Sequence, residues 1–395
     1  MLNQYFADLH IHVGMSENGR WVKIPTSRRL TVRGILEEAT NRKGMDIVGI
    51  VDALSPLVLS DIKQLVAEGL LTPVIGGGYL YMDSTLLLLG AEIETREPDG
   101  GLAHSLVFVP DIQIMSDFSA YMGNFIRNIS LSSQNAHMPL KELVNIASSF
   151  NSLIIPAHIF TPHKSLYGVC CDRLEHILGD QEIDKLAAVE LGLSADSDLA
   201  DRISELADFS FITNSDAHSL DKIAREYNIF SMDKLSFQEV AWALSRTCGR
   251  EIRGNYGLDP RLGKYHRTFC NNCGFIDTGG LSNHQCPECH SKSLVRGVFD
   301  RINQIADYPE PHHPPHRPCY FYQVPLEFIP GLGEKNMNKL LAEFETEMNI
   351  VHYVSQAELG RVVGSKIADF IISARTGTAT ISAGGGGIYG RLVKI

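Results

Sequence analysis

Residues 8–12 read Asp8-Leu9-His10-Ile11-His12, and this short stretch decides both the fold and the position of a site on it. Side chains at positions i, i+2 and i+4 of a strand project from one face, so Asp8, His10 and His12 are expected on one side. Imidazole and carboxylate groups are ligands suited to Zn²⁺, Mn²⁺ or Fe²⁺. The stretch predicts a metal-binding strand, and the alternative is a strand whose polar face is only solvated.

Short apolar runs recur from residue 5 to residue 247, with helical patterns between them. The predicted strands are Ile47–Val51, Leu86–Ile93, Ser105–Val109, Leu153–Pro156, Ala188–Leu191 and Phe209–Thr213. The predicted helices are Val32–Arg42, Pro56–Glu68, Leu140–Phe150, Ser197–Leu206 and Phe237–Arg246. Repeated β-then-α order predicts an α/β fold with a mostly parallel sheet, open or closed into a barrel.

Polar side chains recur where these strands end, which is where a β/α barrel builds its sites. They are Asp52, Glu92, His104, His158, Glu190, Asp216 and His218. Any one of them alone is more often a satisfied polar residue, but their shared placement favours a metal cluster. Two or three close cations can activate water and neutralise charge on phosphate oxygens, so the predicted chemistry is hydrolysis of a phosphate ester.

These motifs resemble the PHP (polymerase and histidinol phosphatase) superfamily over about residues 5–230. The resemblance implies a distorted barrel of about seven β/α units in which two or three metals bind. It implies one metal on His10, His12, Glu92 and Asp216, a second on Glu92, His104 and His158, and a third-metal or acid role for His218. The second motif of the superfamily is Asp-His, whereas Asp52 here precedes Ala53, so the number of metals stays open. The candidate catalytic residues are Asp8, Asp52, Asp216 and His218.

The charge of the chain is divided unevenly. The formal net charge is −11, with 19 Lys and Arg against 32 Asp and Glu in residues 1–247, and 16 against 14 in residues 248–395. The acidic excess thus lies in the predicted metal-binding part, and the remainder is free to meet phosphates. The start, Met1–Tyr5, does not resemble a signal peptide, and no apolar run is long enough to span a bilayer. A cytoplasmic, nucleoid-associated protein without a membrane partner is expected.

Four of the eight cysteines cluster at 270–289. Cys270 and Cys273 form one CxxC pair, and Cys286 and Cys289 form another twelve residues later. This spacing is typical of a zinc ribbon, in which four thiolates hold one structural Zn²⁺, rather than of free thiols or a redox pair. Zinc is also a candidate for the cluster, where Mg²⁺ or Mn²⁺ could serve catalysis.

Two glycine turns near the end of the chain each precede a helical pattern. They are Pro330-Gly331-Leu332-Gly333-Glu334-Lys335 and Val363-Gly364-Ser365-Lys366. Such turns expose backbone N–H groups to an anion at a helix N-terminus, and a pair of them resembles the helix-hairpin-helix motif that grips a DNA backbone. The alternative is a plain glycine turn between helices. The candidate DNA-binding residues are Gly331, Gly333, Lys335, Gly364 and Lys366.

The predicted organisation is a PHP-type phosphoesterase domain over residues 1–247, followed by smaller units. These are a basic connector with the zinc ribbon (248–306), a linker rich in Pro and His (307–324), a helix-hairpin-helix domain (325–376) and a Gly-rich end (377–395).

This order is similar to that of a family of DNA-repair endonucleases. The resemblance is carried by Pro156–Pro162, Glu190–Ser194, Asn214–Ser219 and Ala383–Gly387. It implies cleavage of DNA 5′ of deaminated bases (uracil, hypoxanthine, xanthine) and of abasic sites. DNA carrying these lesions is the predicted partner, with a replication clamp or other repair proteins as further candidates. The competing hypotheses are a small-molecule phosphatase with an assembly tail and an inactive DNA-binding scaffold.

A nuclease that reads a base edge has to flip the nucleotide out of the duplex into a pocket near its metals. The segment Phe160–Cys171 follows the strand before His158 and is long for a βα loop. It predicts a base pocket, and the alternative is a loop that only covers the barrel mouth. The candidate pocket residues are Phe160, His163, Tyr167, Gly168 and Cys171.

Overall fold

The fold is organised around one ten-stranded mixed sheet, seen in a computed structural model that describes residues 2–277, 285–378, 380–382 and 391–394. The strands are β1 (Asn3–Ile11), β2 (Ile47–Ile50), β3 (Leu71–Pro73), β4 (Tyr79–Tyr81), β5 (Thr85–Arg96), β6 (Leu102–Val109), β7 (Leu153–Pro156), β8 (Val189–Glu190), β9 (Phe211–Ile212), β10 (Tyr227–Met232), β11 (Glu251–Gly257), β12 (Phe269–Cys270), β13 (Leu294–Val295), β14 (Cys319–Tyr322), β15 (Thr380–Ser382) and β16 (Arg391–Lys394). The segment Ala383–Gly387, one of those that carry the resemblance to DNA-repair endonucleases, lies outside the described residues.

Helices cover the sheet and build the last part of the chain. They are α1 (Val32–Glu37), α2 (Pro56–Ala67), α3 (Ile112–Met122), α4 (Leu140–Ser148), α5 (Asp180–Ile183), α6 (Ser197–Ala200), α7 (Phe237–Leu244), α8 (Val298–Ile305), α9 (Glu334–Phe344), α10 (Glu347–His352), α11 (Gln356–Val363) and α12 (Ser365–Arg375). Several begin at a side-chain cap, as where Asp111 accepts a hydrogen bond from the N–H of Ile114. Within the described part of the chain, no helix combines the length and apolar character that a membrane span requires.

Seven strands close into a ring. The order β1-β2-β5-β6-β7 follows from the sheet pairing, and a parallel bridge between Ile154 and Leu186 joins β7 to the segment that leads into β8. Strand β8 pairs with β9, and Ala217 after β9 bridges back to Ile11 of β1. The seven strands form the closed ring expected of the predicted distorted barrel, except that β5 and β6 are joined by a hairpin and not by a helix.

The predicted strands are found, but the sheet is less parallel than the sequence pattern suggested. Each predicted strand overlaps an observed one, while the helix predicted over Val32–Arg42 becomes α1 followed by a π-helical turn, Glu38–Lys43. The helix predicted over Ser197–Leu206 is reduced to α6 and a separate 3-10 turn, Ser204–Leu206. Strand β6 runs antiparallel to β5 and β7, because the short connection after Arg96 makes a hairpin rather than a helical crossover. This departure is what distorts the barrel.

Parts of the chain beyond residue 247 extend the barrel sheet. Strand β11 pairs with β10, and β14 pairs with β11. The segment before β14 is held by Arg317, whose guanidinium contacts the buried carboxylate of Asp201 at 2.8 Å. The Pro/His-rich segment thus packs on the barrel instead of hanging free.

The helical module α9–α12 has its own apolar core, which includes Leu340, Ile350, Leu359 and Ile371. It is fastened to the π-helical turn after α1, where Lys43 Nζ lies 3.0 Å from the Glu347 carboxylate. Below we call residues 326–375 the helical module.

Candidate metal centre and nucleic-acid interface

The polar residues predicted from strand ends converge at one rim of the barrel. His10 and Glu92 lie within strands β1 and β5, His104 lies in β6, and His158, Asp216 and His218 follow β7 and β9. Ligand atoms of these residues form three overlapping groups, each within 4.8 Å. The structure therefore brings together all seven predicted cluster ligands: His10, His12, Glu92, His104, His158, Asp216 and His218.

The first group surrounds a point between β1 and the segment after β9. His10 Nε2 lies 3.4 Å from Glu92 Oε1 and 3.6 Å from Asp216 Oδ1. His12 Nε2 lies 3.6 Å from Glu92 Oε2 and 3.4 Å from Asp216 Oδ1. Two imidazoles and two carboxylates thus face one another, which is the donor set expected of one transition-metal ion.

The second group shares Glu92 with the first. Glu92 Oε1 lies 2.8 Å from His104 Nδ1 and 3.3 Å from His158 Nε2. Burial alone would raise the pKa of Glu92, yet the neighbouring His104 and Lys23 hold it well below its usual value. A carboxylate that stays ionised and has an oxygen in each group is suited to bridge two cations.

The third group consists of His12, Asp216 and His218. The first two already belong to the first group, and Ala53 is fully buried and offers no donor. Burial lowers the pKa of His218 to about 4. The third group therefore brings only one donor of its own.

Two buried carboxylates orient the β1 imidazoles. Both oxygens of Glu190 lie 3.1 Å from His10 Nδ1, and Asp52 Oδ2 lies 3.0 Å from His12 Nδ1. Each Nδ1 is thereby engaged by a carboxylate, and the Nε2 atoms of the two rings face each other in the cluster only 3.3 Å apart. Burial alone would lower the pKa of His10, yet Glu190 and Glu92 hold it well above its usual value, so the site favours positive charge at these nitrogens and fits a metal ion. The sequence placed Asp52 and Glu190 at the rim but did not show that they act behind the histidines.

Lys23 is a member of the site that sequence reasoning missed. Its Nζ lies 2.8 Å from His12 Nε2, 3.4 Å from Glu92 Oε2 and 3.0 Å from Ser133 Oγ. It comes from the irregular segment between β1 and α1, where no strand or helix period marks a side chain that reaches the rim. The positive charge of Lys23 thus lies beside His12 and Glu92 of the first group.

Asp8 does not join the cluster, contrary to its prediction as a catalytic residue. Its carboxylate accepts hydrogen bonds from the N–H groups of Ser215, at 3.1 Å, and Ala224, at 2.9 Å. The pairing of β1 with β2 is irregular between Asp8 and Ile11, so the regular alternation that would place it beside His10 is interrupted. Asp8 instead holds the loop that carries Asp216.

Four of the five predicted base-pocket residues are misplaced for that role. Phe160 and Tyr167 are 1% and 0% exposed, and their rings stack on each other with centroids 5.4 Å apart. Cys171 is also buried, and a Cβ at Gly168 would lie only 1.9 Å from the carbonyl oxygen of Thr161. The turn Leu166–Cys170 buries Leu166, Tyr167 and Cys170 in the barrel core and leaves Val169 exposed. Only His163 lines the cavity above the cluster.

That cavity has a volume of about 530 Å³ and opens beside the metal centre. Its floor includes Glu92, His158 and Asp216. Basic side chains stand around it, namely Lys23, Lys164, Lys222, Arg225 and Lys264. An acidic, metal-binding floor within a basic rim suits a substrate that carries phosphate groups.

The four cysteines of the predicted ribbon meet between β12 and β13. The Sγ atoms of Cys270 and Cys289 lie 3.6 Å apart, and those of Cys273 and Cys286 lie 3.5 Å apart. A tetrahedral zinc ion about 2.3 Å from each sulfur would place the sulfurs about 3.8 Å apart. The geometry fits one zinc ion. His284, beside the second pair, lies outside the described residues.

The two glycine turns lie side by side in the helical module. Gly331 and Gly364 have φ values of +83° and +84°, which side chains other than glycine rarely adopt. A shared concavity is lined by Pro330 and Gly331 of one turn and by Val363–Ile367 of the other. Gly333 and Gly364 cap the N-termini of α9 and α12, and Lys335 and Lys366 are exposed in their first turns. The predicted phosphate-binding groups thus face one region.

The seven-stranded ring with a histidine and carboxylate cluster at its rim is the arrangement expected from the resemblance to the PHP superfamily. No family model matches the chain. A protein described as uncharacterized, YqxK of Bacillus subtilis (strain 168), is 42% identical over 393 residues, covering 99% of this chain and 100% of that protein.

Two solved structures resemble the whole chain. The lesion-specific endonuclease PfuEndoQ from Pyrococcus furiosus has a TM-score of 0.84 and 32% identity, over 99% of this chain and 95% of that one. Endonuclease Q in complex with a 27-mer duplex that carries an abasic lesion at the active site has a TM-score of 0.84 and 31% identity, over 100% and 97%. The chain belongs to the endonuclease Q family.

Proposed function

We propose that this chain hydrolyses the DNA phosphodiester 5′ of deaminated bases (uracil, hypoxanthine and xanthine) and of abasic sites. The observation that carries the proposal is the match along the entire chain to endonuclease Q bound to a lesion-containing duplex. The convergence of the seven predicted ligands supports it, because a protein that only binds DNA has no need of an oriented metal cluster. No described residue identifies a protein partner, so the proposal is confined to DNA.

The metal centre would use its residues in distinct roles. His10, His12, Glu92 and Asp216 would hold one cation, and Glu92 would share a second with His104 and His158. Divalent cations held there would lower the pKa of water toward about 7 and neutralise charge on the phosphate oxygens. We propose Mg²⁺ or Mn²⁺, or zinc, for this centre, and zinc for the four cysteines.

Residues around the cluster would position the scissile phosphate. Lys23 Nζ lines the cavity and lies 3.0 Å from Ser133 Oγ, whose hydroxyl donates to Glu92 Oε2, so the ammonium group of Lys23 can donate to a phosphate oxygen that enters the cavity. Lys222 and Arg225 line the same cavity near His218. His218, with its lowered pKa, is neutral near pH 7 and can accept a hydrogen bond or contribute a further metal ligand.

The tail would supply the grip on the duplex. Glycine turns at the N-termini of α9 and α12 present backbone N–H groups, and the helix dipoles favour phosphate there. Because such contacts read no base, the helical module would bind damaged and undamaged duplexes alike. A small-molecule phosphatase has no use for this surface.

The decisive experiment uses end-labelled duplexes that each carry one uracil, hypoxanthine, xanthine or abasic site, with an undamaged duplex as control. Incubation with Mn²⁺ or Mg²⁺ should produce one nick immediately 5′ of each lesion and none in the control. Cleavage of all duplexes alike would contradict lesion specificity. Release of phosphate from small monoesters without any nick would instead support the phosphatase hypothesis.

A further inference from the structure

The cavity above the metal centre has a single aromatic ring of the Phe, Tyr or Trp type among the described residues that line it, and this is Tyr265. It belongs to the connector between the barrel sheet and the zinc ribbon, not to the rim loop after β7. Its side chain is half-buried, in contrast to the enclosed rings of Phe160 and Tyr167. An accessible ring therefore lies where the loop after β7 fails to offer one.

Tyr265 is held in place from two sides. Its carbonyl oxygen accepts a hydrogen bond of 2.9 Å from the N–H of Val298, at the start of α8. Two residues earlier, a Cβ at Gly263 would lie 2.2 Å from Ser194 Oγ, so only glycine allows the connector to approach the loop after β8 this closely. The connector is thereby pressed onto the rim of the cavity.

The ring also has neighbours suited to a nucleotide. The imidazole of His163 meets it edge-on, with ring centroids 5.5 Å apart. Lys264 Nζ lies over the ring, 4.8 Å from its centroid, and the ring of Phe269 lies parallel to it with centroids 6.4 Å apart. Leu193 adds an apolar surface to the cavity. The ring therefore stands among groups that can contact a base, within a cavity whose floor is the metal cluster.

We propose that Tyr265 is the stacking face for the base of the flipped lesion nucleotide. The inference rests on the proposed function, since it requires that a nucleotide enters the cavity. A flipped base loses its stacking neighbours in the duplex, and an aromatic side chain can replace part of that loss. An abasic nucleotide has no base to stack, so it should reach the metal centre without help from Tyr265.

Helix α8, which follows the zinc ribbon in the chain, helps to hold Tyr265 in position. Residues 265–268 contact the start of α8, where Asp300 Oδ2 accepts a hydrogen bond of 2.7 Å from the N–H of Thr268. On its other side, α8 contacts the loop after β7, because the guanidinium of Arg301 donates to the carbonyl oxygens of Tyr167 and Cys171. The buried loop after β7 thus supports the wall that carries Tyr265.

The test compares Tyr265→Ala and Tyr265→Phe with the wild type on uracil and abasic duplexes, under single-turnover conditions with Mn²⁺. Tyr265→Ala should lower the nicking rate at uracil about ten-fold and at the abasic site by less than about two-fold, the order expected for one base–aromatic stack. Tyr265→Phe keeps the ring and should cleave both duplexes at nearly the wild-type rate. Tyr121→Ala, a change of an exposed tyrosine on α3, is the matched control.

Several outcomes would overturn the assignment. Equal losses on both duplexes in Tyr265→Ala would mean that the residue supports the metal centre or the backbone path. An unchanged uracil rate would mean that the ring does not meet the base, and a loss in Tyr265→Phe as large as that in Tyr265→Ala would replace stacking by a hydroxyl contact. Failure of the wild type on both duplexes would overturn the proposed function, and the inference with it.

Discussion

The chain contains two metal-binding regions that are built in opposite ways. The rim cluster draws its ligands from residues between His10 and His218, and the β1 imidazoles are oriented by the buried carboxylates of Glu190 and Asp52. The ribbon takes four thiols from residues 270–289, and the described strands β12 and β13 that flank them are two residues long. Long strands and buried carboxylates hold the cluster in shape, whereas a ribbon of this size depends on its ion for its fold.

The two regions are therefore suited to different roles, the rim cluster to catalysis and the ribbon to structural support. A pre-organised cluster can place charge where a reaction needs it, because its ligands do not have to rearrange. A small ribbon contributes folding energy when it binds zinc and passes that order to the connector that follows the barrel. Mutations in the two regions should therefore affect different measurements.

The largest effect is expected from Asp216→Asn. Asp216 Oδ1 lies within 3.6 Å of both His10 and His12, so the amide removes a charge from the centre of the first group. Single-turnover nicking should fall by at least about 10³-fold, since loss of one pre-organised electrostatic group already costs about 10²–10³. The affinity for duplex DNA should stay within a few-fold, because we propose that the helical module supplies most of the contacts with the duplex.

Asp117→Asn, which changes an exposed carboxylate on α3, is the control and should cleave normally. Normal cleavage by Asp216→Asn at ordinary metal concentrations would remove Asp216 from the centre.

Glu190→Gln tests whether the carboxylates behind the histidines matter. The amide keeps the shape of Glu190 but loses the charge that orients His10 Nδ1. Loss of such a partner typically costs about 10- to 100-fold in metal affinity or activity. We expect a metal titration of nicking to shift to higher concentration, with partial recovery at saturating metal. A reduced rate that no metal concentration improves would contradict an orienting role.

Replacing Cys286 and Cys289 with Ser should affect the ribbon and spare the cluster. The double variant should lose about one zinc ion per chain, since each CxxC pair supplies two of four ligands. Duplex binding should weaken several-fold while the circular dichroism of the barrel stays unchanged. The exposed Cys248 and Cys319, changed to Ser together, provide a control with the same chemistry outside the ribbon. An unchanged zinc content would show that the four thiols are not a site.

A smaller effect is expected where the helical module meets phosphates. Lys335 and Lys366 are exposed beside the two glycine turns, and Lys339 is exposed one turn further along α9. Changing Lys335 and Lys366 to Ala should weaken binding equally for all duplexes and reduce the salt dependence of log Kd by about one unit per lysine. Lys339→Ala should change neither. A loss that depends on sequence would contradict backbone contacts.

The sequence predicted the local features of both regions better than the long-range ones. Four cysteines spaced within twenty residues determine a ribbon by themselves, and His10 and His12 are two apart on one strand. The supports of the cluster were harder to assign, because the contact between His10 and Glu190 joins residues 180 positions apart and depends on how the barrel closes. Lys23 was not found at all, since an irregular loop has no periodicity to reveal which side chain turns inward.

The base pocket is a second case in which local sequence features did not predict a long-range arrangement. Phe160 and Tyr167 were chosen because aromatic residues in a rim loop can stack on a base, but a loop of this length also has to bury apolar side chains. Both rings are buried in the core and do not reach the cavity. The half-buried ring that lines the cavity belongs to Tyr265, about 100 residues later, and no spacing rule links it to the loop after β7.

The smallest effect concerns a carboxylate that stands apart from the cluster. Glu226 is fully buried just before β10, and its Oε1 accepts one hydrogen bond of 2.8 Å from the N–H of Leu258. Its Oε2 has no hydrogen-bond partner among the described residues. Burial raises the pKa of Glu226 to about 8, whereas the carboxylates that face histidines, such as Glu190, have lowered pKa values.

The sign of the effect follows from proton linkage. Between about pH 4.5 and pH 8 the folded protein keeps a proton on Glu226 that the unfolded chain releases, so the contribution of this group to stability falls as pH rises through that window. Glu226→Gln is uncharged at every pH and removes this dependence. Three pH units at about 1.4 kcal/mol each amount to about 4 kcal/mol, so at about 2–4 °C per kcal/mol its Tm relative to the wild type should rise on the order of 10 °C between pH 5 and pH 8. The exposed Glu310→Gln should keep a constant difference, and parallel curves for Glu226→Gln and the wild type would show that Glu226 is ionised in the folded protein.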